Sequence, residues 1–145
     1  MTTFYSDLRT NDRASPPVKT DVTQLGARIR YAVASYTVPA SSIPTIADTI
    51  ELFYLPKGAR ILPGSKFFNS AGAASQTIAV GDSGTAGRYL AATSVTAAGS
   101  NLMEAHLASG AVYEEPAGAM ILATVGGATL TAAAVLTFHF KYALD

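Results

Sequence analysis

The stretch Ile78-Ala79-Val80-Gly81-Asp82-Ser83-Gly84-Thr85-Ala86-Gly87-Arg88-Tyr89-Leu90-Ala91-Ala92 decides between two folds. A short apolar run, Ile78 to Val80, enters Gly-Asp-Ser-Gly. If Ser83 is a nucleophile, the chain must be built around a triad, with a histidine and a carboxylate placed beside the serine. If 81–84 is a tight turn, one strand has ended and another is about to begin. Glycine reaches positive φ at no steric cost, and Asp and Ser side chains bond the local backbone, so these four residues suit a turn.

Gly-Asp-Ser-Gly resembles the nucleophile motif of chymotrypsin-like proteases. A strand running into residues 81–87 resembles the first block of the GDSL esterases more closely. Neither resemblance finds its partners. The protease orders place a histidine before the serine, but His106 and His139 are the only histidines and both follow Ser83. The esterases carry a late Asp-x-x-His, whereas Met103 and Leu136 stand three residues before the two histidines. Their Gly-x-Asn-Asp block is missing too, since Gly99-Ser100-Asn101 leads into Leu102. Only 58 residues follow Gly87, short of the domain such an enzyme builds after its motif. A small esterase using Ser83 remains the remote alternative, and the turn is the reading adopted.

The whole composition agrees with a β-rich, non-catalytic chain. Its 145 residues suit one domain with a sizeable core. Hydrophobic residues make up 49% and charged residues only 14%, against about 25% charged in ordinary globular proteins. Alanine alone accounts for 27 positions. Small uncharged side chains let surfaces meet with little desolvation or side-chain entropy opposing them, so the balance points to a subunit of an assembly. Ten bases and ten acids are spread evenly, giving zero net charge and no basic cluster. A nucleic-acid partner is therefore not expected. The absence of cysteine excludes disulfides, thiolate metal sites and cysteine nucleophiles. No secretory signal is visible at the start, Met1-Thr2-Thr3-Phe4-Tyr5-Ser6-Asp7.

One uncharged stretch, 116–138, is long enough for a bilayer, which needs roughly 20 residues. Yet Gly126-Gly127 interrupts it and Thr124, Thr129, Thr131 and Thr137 recur through it. It reads instead as two strands, 120–125 and 130–142, forming a hairpin around Gly-Gly-Ala-Thr, so no membrane partner is expected.

Residues 1–26 stand apart. Asp7, Arg9, Asn11, Asp12, Arg13, Pro16, Pro17, Lys19 and Asp21 leave too little apolar surface for independent folding. This segment reads as an extended arm that orders on a partner, with Phe4, Tyr5 and Leu8 to bury. Residues 27–145 form the body. Strands are expected at 28–38, with Ile29, Tyr31 and Val33 on one face, and at 49–55. Another spans 60–69, broken at Pro63-Gly64 because proline cannot donate to a central ladder. Further strands fall at 76–80 and 110–114, with a brief strand or turn at 88–92, followed by the two of the hairpin. Segment 94–109 fits a strand or a short helix. About eight short strands with Gly/Pro turns predict an all-β chain, an antiparallel β-sandwich or jelly roll.

No constellation carries chemistry. His139 sits on the polar face of an alternating strand, and Glu104 with His106 lacks the third and fourth ligands a metal needs. Glu114 and Glu115, as strand neighbours, point to opposite faces. No catalytic, cofactor-binding or metal residues are expected. Arg28 and Arg30 share a strand face and suit an ion pair with another subunit. With Phe4, Tyr5, Leu8, Arg9 and Arg13 of the arm, they are the candidate interaction residues.

Several segments together carry a resemblance: 55–61 (Leu-Pro-Lys-Gly-Ala-Arg-Ile), Val80-Gly81-Asp82-Ser83 with Gly87-Arg88-Tyr89-Leu90, Ala97-Ala98-Gly99, and 121–130. These loose turn-and-strand signatures, over roughly residues 45–142, resemble the cement or decoration proteins of tailed-bacteriophage heads. The resemblance implies a β-sandwich, a homodimer or homotrimer at capsid symmetry axes, and the major capsid protein as partner. It also implies a place on the outer surface of the virion after synthesis in the host cytoplasm, and no catalysis. The long arm departs from the shortest members. A tail tube, fibre or head–tail subunit is the alternative, since it shares the composition.

Overall fold

The computed structural model describes residues 14–16, 28–108 and 113–144. Within them the chain is an antiparallel β-sandwich of nine strands. They are β1 (Arg28–Thr37), β2 (Thr49–Leu55), β3 (Arg60–Ile61), β4 (Lys66–Asn69), β5 (Thr77–Gly81), β6 (Leu90–Ser94), β7 (Gly99–Leu102), β8 (Ala119–Gly126) and β9 (Val135–Leu144). A single 3-10 turn, Ala105–Leu107, is the one helical element among the described residues. One sheet runs β1-β9-β4-β7, with β3 also on β9; the other runs β2-β8-β5-β6. The stretch 78–92 is thus two strands and the turn between them.

β9 organises the first sheet. It pairs with β1 from Arg28↔Leu144 to Thr37↔Val135, and on its other side with β3 and then β4. The interruption between β3 and β4 falls at Pro63-Gly64, as the sequence predicts. Ser65 repairs the ladder there: its hydroxyl donates to Leu62 O at 3.0 Å and accepts from Lys141 N at 3.0 Å. The ambiguous segment 94–109 resolves into β7 and the 3-10 turn. Of the strand expected at 110–114, residues 110–112 lie outside the described residues, and Glu114 forms an isolated bridge to Arg60.

The expected hairpin at 120–142 needs correction. Both strands exist, but β8 pairs with β2 and β5 while β9 pairs with β1, β3 and β4, so the chain arches from one sheet to the other. Strand chemistry explains why. Ile121, Ala123 and Val125 of β8 and Leu136, Phe138 and Phe140 of β9 are all buried; in a hairpin all six would line one sheet and leave the other bare. In the arch they face one another across the core. The buried Gln76 amide holds the arch down, donating to Thr129 O and Thr131 Oγ1, and Leu130 plugs the space beneath.

The core lies between the sheets. Phe67 stacks on Phe138 with ring centroids 4.8 Å apart, and Phe53 of the second sheet meets Phe140 of the first at 4.9 Å. Such aromatic pairs add about 0.5–1.5 kcal/mol beyond their area. Ala32, Ala34 and Tyr36 are the β1 residues that pack against this core. The opposite face of β1, the more apolar one in sequence, points outward.

Candidate functional site

That outward face is the largest unexplained feature. Ile29 is 54% exposed, Tyr31 71% and Val33 61%. Antiparallel register carries the face across the sheet: Val33 lies opposite His139, His139 opposite Lys66, and Lys66 opposite Leu102. The next row runs Ser35, Thr137, Phe68, Ser100. Eight large apolar side chains are exposed among the described residues, and six of them belong to this one face: Ile29, Tyr31, Val33, Phe68, Leu102 and Val135. Between them stand Lys66, Lys141, His139, Ser35 and Thr137, with Ser35 donating to Thr137 at 3.3 Å and Phe68 edge-on to His139 at 5.3 Å. Large apolar side chains gathered on one exposed face mark a candidate contact with another macromolecule.

The turn after β5 is built around Asp82. The side chain of Asp82 is 6% exposed. Its carboxylate accepts from Gly84 N and Thr85 N, each at 2.8 Å, and from the Arg88 guanidinium. Arg88 in turn lies over the Tyr113 ring at 3.9 Å. Gly81 permits the close approach, because a Cβ there would stand 2.0 Å from Thr85 O. Ser83 stays exposed at the tip. Among the described residues neither histidine serves it. His106 places Nε2 2.9 Å from Ile61 O and its ring edge-on to Tyr89, and His139 lies edge-on to Phe68. The motif that looks like a nucleophile is an Asx turn locked by an ion pair.

Beneath the turn lies a buried polar group that sequence reading missed. Tyr89 donates its hydroxyl to Glu115 Oε1 at 2.7 Å, while Glu114 pairs with Arg60 at 2.5 Å. The two glutamates thus part company, as strand neighbours do. Glu104 accepts from Gly64 N at 2.9 Å and so fixes the β3–β4 interruption. No three or more His, Asp or Glu side chains among the described residues could hold a metal ion.

Electrostatics divide the two buried carboxyls. Burial acts to raise the Asp82 pKa, but the hydrogen bonds from Arg88, Thr85 and Gly84 outweigh it and hold the group below its ordinary value. Burial raises Glu115, and the nearby Asp82 charge adds to this against the Tyr89 hydroxyl. Burial likewise lowers His106, against its bond to Ile61 O. A carboxyl raised on folding stabilises the fold while protonated, and that contribution is lost as pH rises through the raised value. Glu115→Gln keeps an acceptor for Tyr89 and removes the charge. It should melt with the native protein at pH 4 and above it at pH 8; equal melting at both would show that Glu115 carries no buried charge.

The sequence-predicted contact residues divide in two. Phe4, Tyr5, Leu8, Arg9 and Arg13, with the rest of the 1–26 arm apart from 14–16, lie outside the described residues. Arg28 and Arg30 are exposed at the start of β1, opposite Leu144 and Tyr142 and without an ion-pair partner among the described residues. The alternation of β1 was the signal for the outer face, but it reads equally well as a core face. No helix among the described residues is long and apolar enough to cross a membrane.

No protein-family model matches the sequence, and no curated protein matches it. Solved structures do match. A chain of the cyanophage Pam1 capsid asymmetric unit aligns with a TM-score of 0.64 and 20% identity, covering 83% of this chain and 88% of its own. A chain of the Ralstonia phage GP4 capsid aligns at 0.62 and 17%, covering 81% and 85%. A chain of the acid-stable capsid of Helicobacter pylori bacteriophage KHP30 aligns at 0.56 and 16%, covering 80% and 87%. At these identities the likeness is one of fold: the β-sandwich described above occurs in chains of three phage capsids.

Proposed function

We propose that this chain is a structural protein of a bacteriophage virion, bound to the outer surface of the capsid, where it clamps neighbouring subunits of the major capsid protein. The observation that carries the attachment is the apolar outer face of the β1-β9-β4-β7 sheet. The sandwich shared with chains of phage capsids supports the virion setting. The 1–26 arm is proposed as a second contact. Binding to the assembled shell and not to separated subunits adds stability by mass action, and many copies on a lattice multiply modest contacts. Catalysis has no part in this reading.

Apolar burial contributes roughly 25 cal/mol per Å² before association costs, and salt screens exposed ion pairs rather than apolar contact. Attachment should therefore survive 1 M NaCl, where the Debye length is about 3 Å. Tyr31→Lys combined with Phe68→Lys should release the protein from particles, and particles so stripped should open at a lower temperature. Release of the native protein by moderate salt, or identical melting of particles with and without it, would count against the clamp. A cryo-EM map decides the setting: copies spread over the head support the proposal, and copies confined to one vertex or the tail assign the chain there instead.

A further inference from the structure

We propose that β1 pairs antiparallel, about a two-fold axis, with β1 of a second copy of this chain, so that two sandwiches share one continuous sheet. The four sheet edges among the described residues are not alike. β7 is four residues long; β2 is bulged between Glu51 and Phe53; β6 is five residues long and faces a bulge in its pairing with β5. Shortness and bulges are how proteins blunt an edge against pairing. β1 has neither. Its ten residues keep one unbroken register with β9 and contain no proline, lysine or bulge.

The direction of its free groups follows from the ladder. Val38 N donates to Ala134 O, while Val135 O and Lys141 O of β9 accept from the other side, from Ser70 N and Leu62 N. Even-numbered residues of β1 therefore face β9, and alternation turns the N–H and C=O groups of Ile29, Tyr31, Val33 and Ser35 to the open edge. These same residues carry the exposed apolar side chains. The sequence is self-complementary in the register that places Ala32 on the two-fold axis. Tyr31 then falls opposite the partner's Val33, and Val33 opposite the partner's Tyr31, an aromatic–β-branched pair that favours strand pairing. Ile29 meets the partner's Ser35. Arg28 meets the partner's Tyr36 and Arg30 the partner's Ala34, so no like charges oppose. A two-fold contact of this kind uses the same patch on both copies. It joins the two outer apolar faces into one platform, which deepens the capsid reading without depending on it.

The test uses the full chain in solution. Light scattering after gel filtration should give twice the mass of one chain. Val33→Pro deletes an amide at the open edge and leaves the β9 ladder intact; it should halve that mass while keeping the β circular dichroism spectrum. Should the proline variant unfold, Val33→Lys provides the same readout by charge repulsion at the pairing centre. Because the chain lacks cysteine, Ala32→Cys should oxidise to a disulfide dimer at least ten-fold faster than Ser100→Cys on β7. A native protein monomeric at millimolar concentration, or equal oxidation of the two cysteine variants, would overturn the pairing. The two proposals fail separately. A monomer that still decorates particles removes the pairing and keeps the capsid role; a dimer that never attaches does the reverse.

Discussion

Gly127→Ala should destabilise the protein by about 4 kcal/mol, equivalent to a fall of about 10–15 °C in melting temperature. Gly127 opens the arch between the sheets at φ +71°, and a Cβ there would lie 1.8 Å from Ser75 O. Left-handed backbone and a clash with another backbone segment combine, and neither relaxes without moving the turn that enters β5. Gly64 is the control. It also has positive φ, at +88°, but nothing lies within 4 Å of its added Cβ. Gly64→Ala should cost about 1 kcal/mol, the conformational part alone. Equal losses at the two sites would show that the arch tolerates displacement.

Asp82→Ala should cost about 3 kcal/mol and Ser83→Ala less than about 0.5 kcal/mol. Removing the Asp82 carboxylate strands two backbone amides and the Arg88 guanidinium at once. The expected loss sits at the low end for a buried pair, because Arg88 keeps part of its surface in water. In a double-mutant cycle, Arg88→Met should lose most of its own cost once Asp82 is gone. Ser83 contributes only a solvated hydroxyl. Ester hydrolysis by the native protein that vanished in Ser83→Ala would restore the nucleophile against this account.

The sequence revealed strands well and their partners poorly. Alternation and breakers placed β1, β2, β4, β5 and β9 because each buries one side of a pleat, a local property. The Pro63-Gly64 interruption was legible for the same reason. The arch was not: 127–134 carries the glycines of a hairpin loop, and only the distant Gln76 side chain reveals that it crosses between sheets. The face of β1 was ambiguous in another way. Its small residues, Ala32 and Ala34, fill the core, where Phe138 and Phe140 already occupy the volume, and the bulky ones are left outside. Size rather than polarity decided the side, and one strand read alone cannot show what space its neighbours leave. Tyr89 and Glu115, 26 residues apart, belong to the same class of information.

The pairing of β1 with β9 bears on how the molecule is born. Ser35 and Thr137 touch across 102 residues of chain, and β9 is the strand on which β1, β3 and β4 all depend. A nascent chain emerging N-terminus first has made nearly all of this sheet before its central strand exists. Until then β1 has no strand beside it in this sheet, and β4 has only β7. Closing such distant contacts is slow, on the order of milliseconds to seconds for all-β topologies. The stage most exposed to misassociation falls just before synthesis reaches β9, when β1 has no strand beside it.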